Sequence, residues 1–315
     1  MNIKEIEIVK YNPDWPKLFE SEAVLIKQAL GDNCIAVHHI GSTAVPELAA
    51  KPVIDILPVV LDITKVDIKN INMAELGYNA KGEYGIPLRR FFQKKINIIR
   101  THNVHVFEQG NTEIDRHLGF RNWMRSHSYD REKYAELKQD LANRFPNDMM
   151  SYGLGKDQFI ADVDHKAGFT GIRIFNALKQ HEWDAVKNYR QKYFFDKANI
   201  IDPYTWTFDH PDHRHFVLYK GTDILGYAHL QLWSNFRAAL RIIVIDEDFR
   251  NLGLGGDFLI LCEKWLKTQG YKSLHIESSP ETYNFYKKHT YISMPFNDPE
   301  NHESHPNDIP IGKNL

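Results

Sequence analysis

Apolar positions change period several times along the chain, and each change marks an element. Leu18, Phe19, Ala23, Ile26 and Leu30 recur at helical spacing after the punctuation Pro13-Asp14-Trp15-Pro16, and Gly31 closes that helix. Two apolar runs, Ile35 to Ile40 and Pro52 to Val60, read as strands, with the loop Gly41-Ser42-Thr43-Ala44-Val45-Pro46 between them. Helical spacing returns over Asp130 to Phe145, on Tyr134, Leu137 and Leu141, and again near Asp157 to Lys166. Ala167-Gly168-Phe169-Thr170-Gly171 interrupts the pattern and reads as a joint.

Beyond it the order of elements differs. Ile172 to Phe175 reads as a short strand, and helical stretches fall between Lys179 and Phe195, their aromatics suited to a core and a pocket wall. A hairpin follows, His215 to Tyr219 and Ile224 to Trp233 around the turn Lys220-Gly221-Thr222-Asp223. The strand Arg237 to Ile245 ends in the β-branched run Ile242-Ile243-Val244-Ile245. An acidic turn and Arg250-Asn251-Leu252-Gly253-Leu254-Gly255-Gly256 come next, then a helix on Phe258, Leu261, Cys262, Trp265 and Leu266. Lys272 to Ser278 is a strand, Pro280 opens a helix that runs to His289, and Tyr291 to Met294 begins another strand.

The glycine-rich stretch joins a strand to a helix. Glycines let the backbone turn tightly near a phosphate, while the first helical N–H groups and the helix dipole face negative charge. Its order, R-x-x-G-x-G, is neither the dinucleotide fingerprint nor a P-loop, which requires G-K-[ST]. The residues alone leave two readings, an anion cradle or a glycine-rich helix start.

Composition narrows the class. At 315 residues the chain is long enough for about two domains, read as 1–169 and 171–315. Apolar content of 43% and charged content of 25% are those of a globular protein, and a net charge of −2 supplies no basic field for nucleic acid. No apolar run approaches the ~20 residues of a membrane span, and the start MNIKEIEIVKYNPDW lacks a signal-peptide core. Cys34 and Cys262 sit far apart in apolar runs, as reduced thiols of a cytoplasmic protein do.

Several blocks in the first half resemble the GrpB family, whose fold is nucleotidyltransferase-like. They are HHIGSTAVPELAAKPVIDI (His38 to Ile56), RRFF (Arg89 to Phe92), THNVHVFE (Thr101 to Glu108), HLGFRNWMRSH (His117 to His127), YAELK (Tyr134 to Lys138) and YGLGKDQFI (Tyr152 to Ile160). The resemblance implies a mixed sheet with helices. Nucleotidyltransferases pair carboxylates as D-x-[DE] to hold Mg²⁺, but Asp55 is followed by Ile56 and Leu57, and Glu47 stands where the family's glycine follows Val-Pro. Two-metal chemistry is therefore not expected, nor is a bound metal, since His102 and His105 at i, i+3 on a strand point to opposite faces. Arginines and histidines in these blocks suit an anionic or phosphorylated small molecule, with Ser42, Lys51, Asp55, Arg90, His105 and Arg121 as the pocket. The other reading makes Arg121, Arg125 and Asp55 a buried ion-pair network joining helix to sheet.

The R-x-x-G-x-G turn resembles the pyrophosphate loop of the GNAT acetyltransferase superfamily, and Phe285-Tyr286-Lys287-Lys288 resembles its FY-x-K-x-G-F segment, with Thr290-Tyr291 in place of Gly-Phe. The resemblance implies a central splayed mixed β-sheet flanked by helices, with acetyl-CoA lying between Ile242–Ile245 and Leu274–Ser278. It places a backbone N–H near Ile245 on the thioester carbonyl, Arg250 to Gly256 on the pyrophosphate, and Asn284 on the pantetheine arm. Tyr286 would protonate the departing thiolate, and Glu277 or Asp246 would deprotonate the acceptor amine. Read as residues, Tyr286 also fits a packed helix aromatic and Asp246 a solvated turn. Asp308 to Lys313 resembles the closing strand on the acceptor side, and His210, His213, His302 and His305 surround that side. The chain is thus expected to be two α/β (α+β) domains that move an acetyl or other short acyl group from acetyl-CoA to a small-molecule or peptide amine. Its alternatives are a CoA-binding sensor without turnover, or residual nucleotidyltransferase activity.

Overall fold

The computed structural model describes residues 6–300 and 305–315. The chain divides into two compact units, 1–171 and 172–315, each built on its own mixed sheet.

In the first unit the strands are β1 (Cys34–Ile40), β2 (Ile54–Val60), β3 (Tyr78–Ala80), β4 (Arg90–Ile96) and β5 (Ile99–Glu108), in the order β1-β2-β5-β4-β3. Among the described residues of this sheet only β2 and β5 run parallel. The sheet is covered on both faces, so both faces of β2 are apolar. One face packs under α1 (Trp15–Leu30) and α2 (Asn70–Glu75), with Ile26, Leu30, Ile54, Ile56, Phe92 and Val104 buried there. The other carries Ile40, Leu57, Val59 and Phe107 against Ile114 and Leu118 of α3 (Thr112–Ser126). The predicted helix over Asp130 to Phe145 is α4 (Ser128–Arg144). A six-residue α5 (Met149–Leu154) and α6 (Asp157–Lys166) complete the unit.

The second unit orders its strands β11-β12-β10-β9-β8-β7-β6. They are β6 (Ile172–Asn176), β7 (His213–Lys220), β8 (Asp223–Trp233), β9 (Arg237–Ile245), β10 (Ser273–Ser278), β11 (Ile292–Ser293) and β12 (Ile309–Asn314). α7 (Gln180–Arg190) covers one face through Val186 and Tyr189, against Val217, Tyr219 and Tyr227. α8 (Leu254–Thr268) buries Phe258, Cys262 and Leu266, and α9 (Pro280–Lys288) follows β10. Among the described residues no helix is long and apolar enough to cross a membrane. Cys34 and Cys262 are free and buried. His302 lies outside the described residues.

Candidate functional site

In the second unit β9 and β10 pair in parallel only where Arg237, Ala238 and Ala239 meet Ser273, Leu274 and His275. Beyond these residues the strands part, while β9 stays paired to β8 up to Ile245 and β10 stays paired to β12 up to Ser278. The parting begins after His275, so Leu274 is still paired, contrary to the sequence expectation that the groove starts there. The Asp246 N–H donates to Leu225 O across the β8 side. Amides alternate direction along a strand, so those of Ile245 face the groove.

The glycine-rich turn stands at the end of β9. Gly253 adopts φ +82 ahead of α8 with open space where a side chain would project, and Asn251 is also left-handed, at φ 63. Leu254 is buried and anchors the helix start, whereas Arg250, Asn251 and Leu252 are exposed. Gly256 admits the His289 ring, which a Cβ would meet at 2.7 Å, and a Cβ on Gly255 would lie 3.6 Å from Phe285 and 3.8 Å from Ile245. The α8 start, the β9 end and α9 therefore meet at one place. The Arg250 Nε donates to Ile245 O at 3.1 Å, and its guanidinium lies 5.0 Å from the Tyr193 ring centroid. The first contact ties the arginine to the end of β9 and the second to the segment that follows α7.

Tyr286 is buried on α9 against Phe285 and Tyr291. Burial pushes its phenol above the usual range, so it holds its proton at neutral pH. Asn284 is exposed on the same helix. Glu277 is half-buried, on the face of β10 that also carries Ser273 and His275. Asp246 accepts the Asp248 N–H at 3.2 Å, which makes it the cap of its turn. Lys313 is not free for the acceptor side, because its Nζ bonds Glu263 Oε2 at 2.7 Å.

Sequence reading missed a buried polar seam on the α7 face. There Arg190 holds Asp202 and donates to Tyr227 Oη at 3.0 Å, Tyr227 contacts His215 Nδ1 at 2.7 Å, and His213 meets His229 at 2.7 Å. The alternation of histidines along β7 was its only signal.

In the first unit Asp55 lies on the α3 face of β2. Its Oδ1 accepts from Asn103 Nδ2 at 2.8 Å and stands 3.7 Å from His105 Nε2. Gly41, at φ +70, is necessary there, since a Cβ would fall 2.5 Å from Asp55 Oδ2. Burial would raise the Asp55 carboxyl, but His105, Asn103 and Lys51 outweigh it and hold it below the usual range. Arg89 Nη1 lies 3.1 Å from His105 Nδ1. An arginine only donates, so the His105 proton sits on Nε2, toward Asp55.

Two expected pocket arginines do other work. Arg90 points to the opposite face, where its Nε and Nη2 bond Asp67 at 2.8 and 2.9 Å. Its neighbour Arg89 faces His105 instead. Arg121 donates to His39 O at 3.0 Å and Arg125 to Ala44 O at 2.7 Å, so both tether α3 to backbone carbonyls. They form no ion pair with Asp55. Ser42 and Lys51 remain beside Asp55, joined by two lysines that sequence reading passed over, Lys138 and Lys156. Among the described residues no group of three or more His, Cys, Asp and Glu is placed to hold a metal.

The Acetyltransferase (GNAT) family model matches residues 175–291, the stretch that carries the parted strands and the glycine turn. The GrpB protein family model matches residues 5–166, just over half of the chain, and the chain belongs to the GrpB family. UPF0157 protein YqkA of Bacillus subtilis is 44% identical over 164 residues, covering 52% of this chain and 48% of YqkA. The matched stretch thus spans about half of that relative's length. UPF0157 protein BH1888 of Halalkalibacterium halodurans is 37% identical over 166 residues, 52% of this chain and 84% of the relative. A crystal structure of conserved protein GrpB from Enterococcus faecalis shares 43% identity, covering 51% of this chain and 96% of that one, with a TM-score of 0.49.

Proposed function

We propose that the second unit transfers an acetyl or other short acyl group from CoA directly to an amine, and that the first unit binds an anionic or phosphorylated small molecule. The observation that carries the first part is the parting of β9 and β10 beside the Gly253–Gly256 helix start. Acetyl-CoA supplies the acyl group as a thioester. Backbone N–H groups from Gly253 to Gly255, with Arg250, take the pyrophosphate, aided by the positive end of α8; the Gly256 N–H, expected among them, is spent on Gly253 O at 2.9 Å. The groove-facing N–H of Ile245 polarises the thioester carbonyl, Asn284 contacts the pantetheine arm, and Tyr286 gives its proton to the departing sulfur. The amine attacks as its neutral form. Glu277 on β10 and Asp246 at the end of β9 are the candidate bases, and the Asp246 carboxylate also caps its own turn.

The test is calorimetric titration of the full chain with acetyl-CoA, followed by a screen of amines for release of free thiol. Micromolar binding and thiol release with an amine support transfer. Binding without turnover for any amine class favours a CoA sensor. A protein that does not bind CoA at all refutes the reading.

A further inference from the structure

The first unit gathers three lysines around one turn. Lys138, on α4, is 3% exposed, and its Nζ donates to Ser42 Oγ at 3.1 Å and to Ala49 O. The half-buried Lys51 lies 4.6 Å from the Tyr152 ring centroid and donates to Met149 Sδ at 3.2 Å. Lys156 lies 4.6 Å from the centroid of that same ring. Gly155 explains how it gets there: a Cβ would fall 2.4 Å from Leu141 Cδ2, so the turn after α5 lies flat on α4, one turn from Lys138. Among the described residues none of the three ammonium groups has a carboxylate within 4.0 Å. Their partners are a hydroxyl, a carbonyl, a thioether and ring faces. Buried cations are ordinarily paired. Burial, then mutual repulsion, draws Lys138 down to about 7, and burial followed by Lys156 draws Lys51 down to about 8. A fold that gathers such groups carries an electrostatic cost that an anion would relieve.

We propose that Lys51, Lys138 and Lys156, with Ser42, bind the phosphate group of a small phosphomonoester beside Asp55. This rests on the reading that the first unit binds an anion, and it moves the cationic centre from the arginines to the lysines. Three ammonium groups and Arg100, set against Asp55 and Asp157, sum to two positive charges, which a phosphate dianion neutralises and a carboxylate monoanion does not. A tetrahedral group also offers an oxygen to each ammonium. The depth of Lys138 suits a small molecule rather than a polymer backbone.

The test is calorimetry on the full chain at pH 8 with inorganic phosphate, glycerol phosphate and acetate, in two buffers of different ionisation enthalpy. Phosphate and its ester are expected to bind, acetate at least tenfold more weakly, with uptake of about one proton as the lysines charge. The relative affinity of ester and free phosphate separates those two sources. Lys138→Met and, should that variant unfold, Lys51→Met or Lys156→Met are each expected to weaken binding about ten- to a hundredfold. Binding that survives in all folded lysine variants, or that takes up no proton, overturns the lysine assignment while leaving an anion site standing. Failure of the intact protein to bind phosphate or ester overturns the anion reading as well.

Discussion

Two residues occupy backbone positions that the family resemblances reserve for glycine, and both keep the glycine conformation. Glu47 stands at φ 66 and Thr290 at φ 67. A left-handed β-branched residue is strained by about 1–2 kcal/mol, whereas glycine there costs about 0.5–1 kcal/mol in chain entropy. Thr290→Gly should therefore stabilise the second unit and raise its Tm by about 2–4 °C. A lowered Tm would show that the strain is not there. Glu47 also pairs with Arg131 at 2.7 Å, although its carboxylate is 76% exposed. Such a pair contributes about 0–1 kcal/mol, so Glu47→Gly should be near neutral and Glu47→Ala, which keeps the strain and loses the pair, destabilising. The chemistry has its own single-residue test. Tyr286→Phe should lower kcat about 10²–10⁴-fold with the KM for acetyl-CoA unchanged, as loss of a general acid does. Because burial raises the phenol, the wild-type rate should show no alkaline fall from Tyr286 in the ordinary phenol range. An unchanged kcat would leave Tyr286 a packing residue.

At the scale of elements, the helix start of α8 separates folding from binding. A side chain on Gly255 would meet Phe285 at 3.6 Å, an ordinary contact. A carboxylate in the first turn of a helix is favourable to the helix itself. Gly255→Asp should thus fold with unaltered Tm yet lose CoA affinity at least about tenfold through repulsion of the pyrophosphate. Equal affinity in calorimetry would mean that the turn does not seat the cofactor. The period of each strand made this turn and its neighbours legible in the chain. The parting of β9 from β10 was legible only as a resemblance, because it depends on β10 turning toward β12 while β9 stays with β8. In α4 the signal was present but went unread: Lys138 falls on the stripe of Tyr134 and Leu141, where a helix buries apolar residues.

At the scale of the whole molecule, buried neutral histidines set the response to acid. Burial, the first cause in each case, lowers His39 to about 4 and His117 well below its ordinary value in the first unit; in the second it lowers His215 to about 3 and His229 well below. Their folded values lie under the unfolded value of about 6.5. The stability they contribute is thus complete above that pH and is lost as pH falls, because only the unfolded chain takes up the protons. Each such group lowers stability by roughly 1 kcal/mol per pH unit as pH falls from its unfolded towards its folded value. Urea unfolding at pH 7.5, 6.0 and 5.0 should show both units weakening together with acidity. Flat stability across that range would mean these histidines are charged in the fold.

The chain by itself determined that there are two α/β units, where the glycine turn lies, and which tyrosine follows it, because periodicity and turn chemistry are local. The tertiary structure decided which of two adjacent arginines faces the Asp55 side. Strand side chains alternate, so one residue of register separates Arg89 at His105 from Arg90 at Asp67. It also decided that Lys51, Lys138 and Lys156 meet. They come from three separate blocks of the chain, and only the packing of Gly155 on Leu141 and of the Gly41 turn on Asp55 brings them to one place.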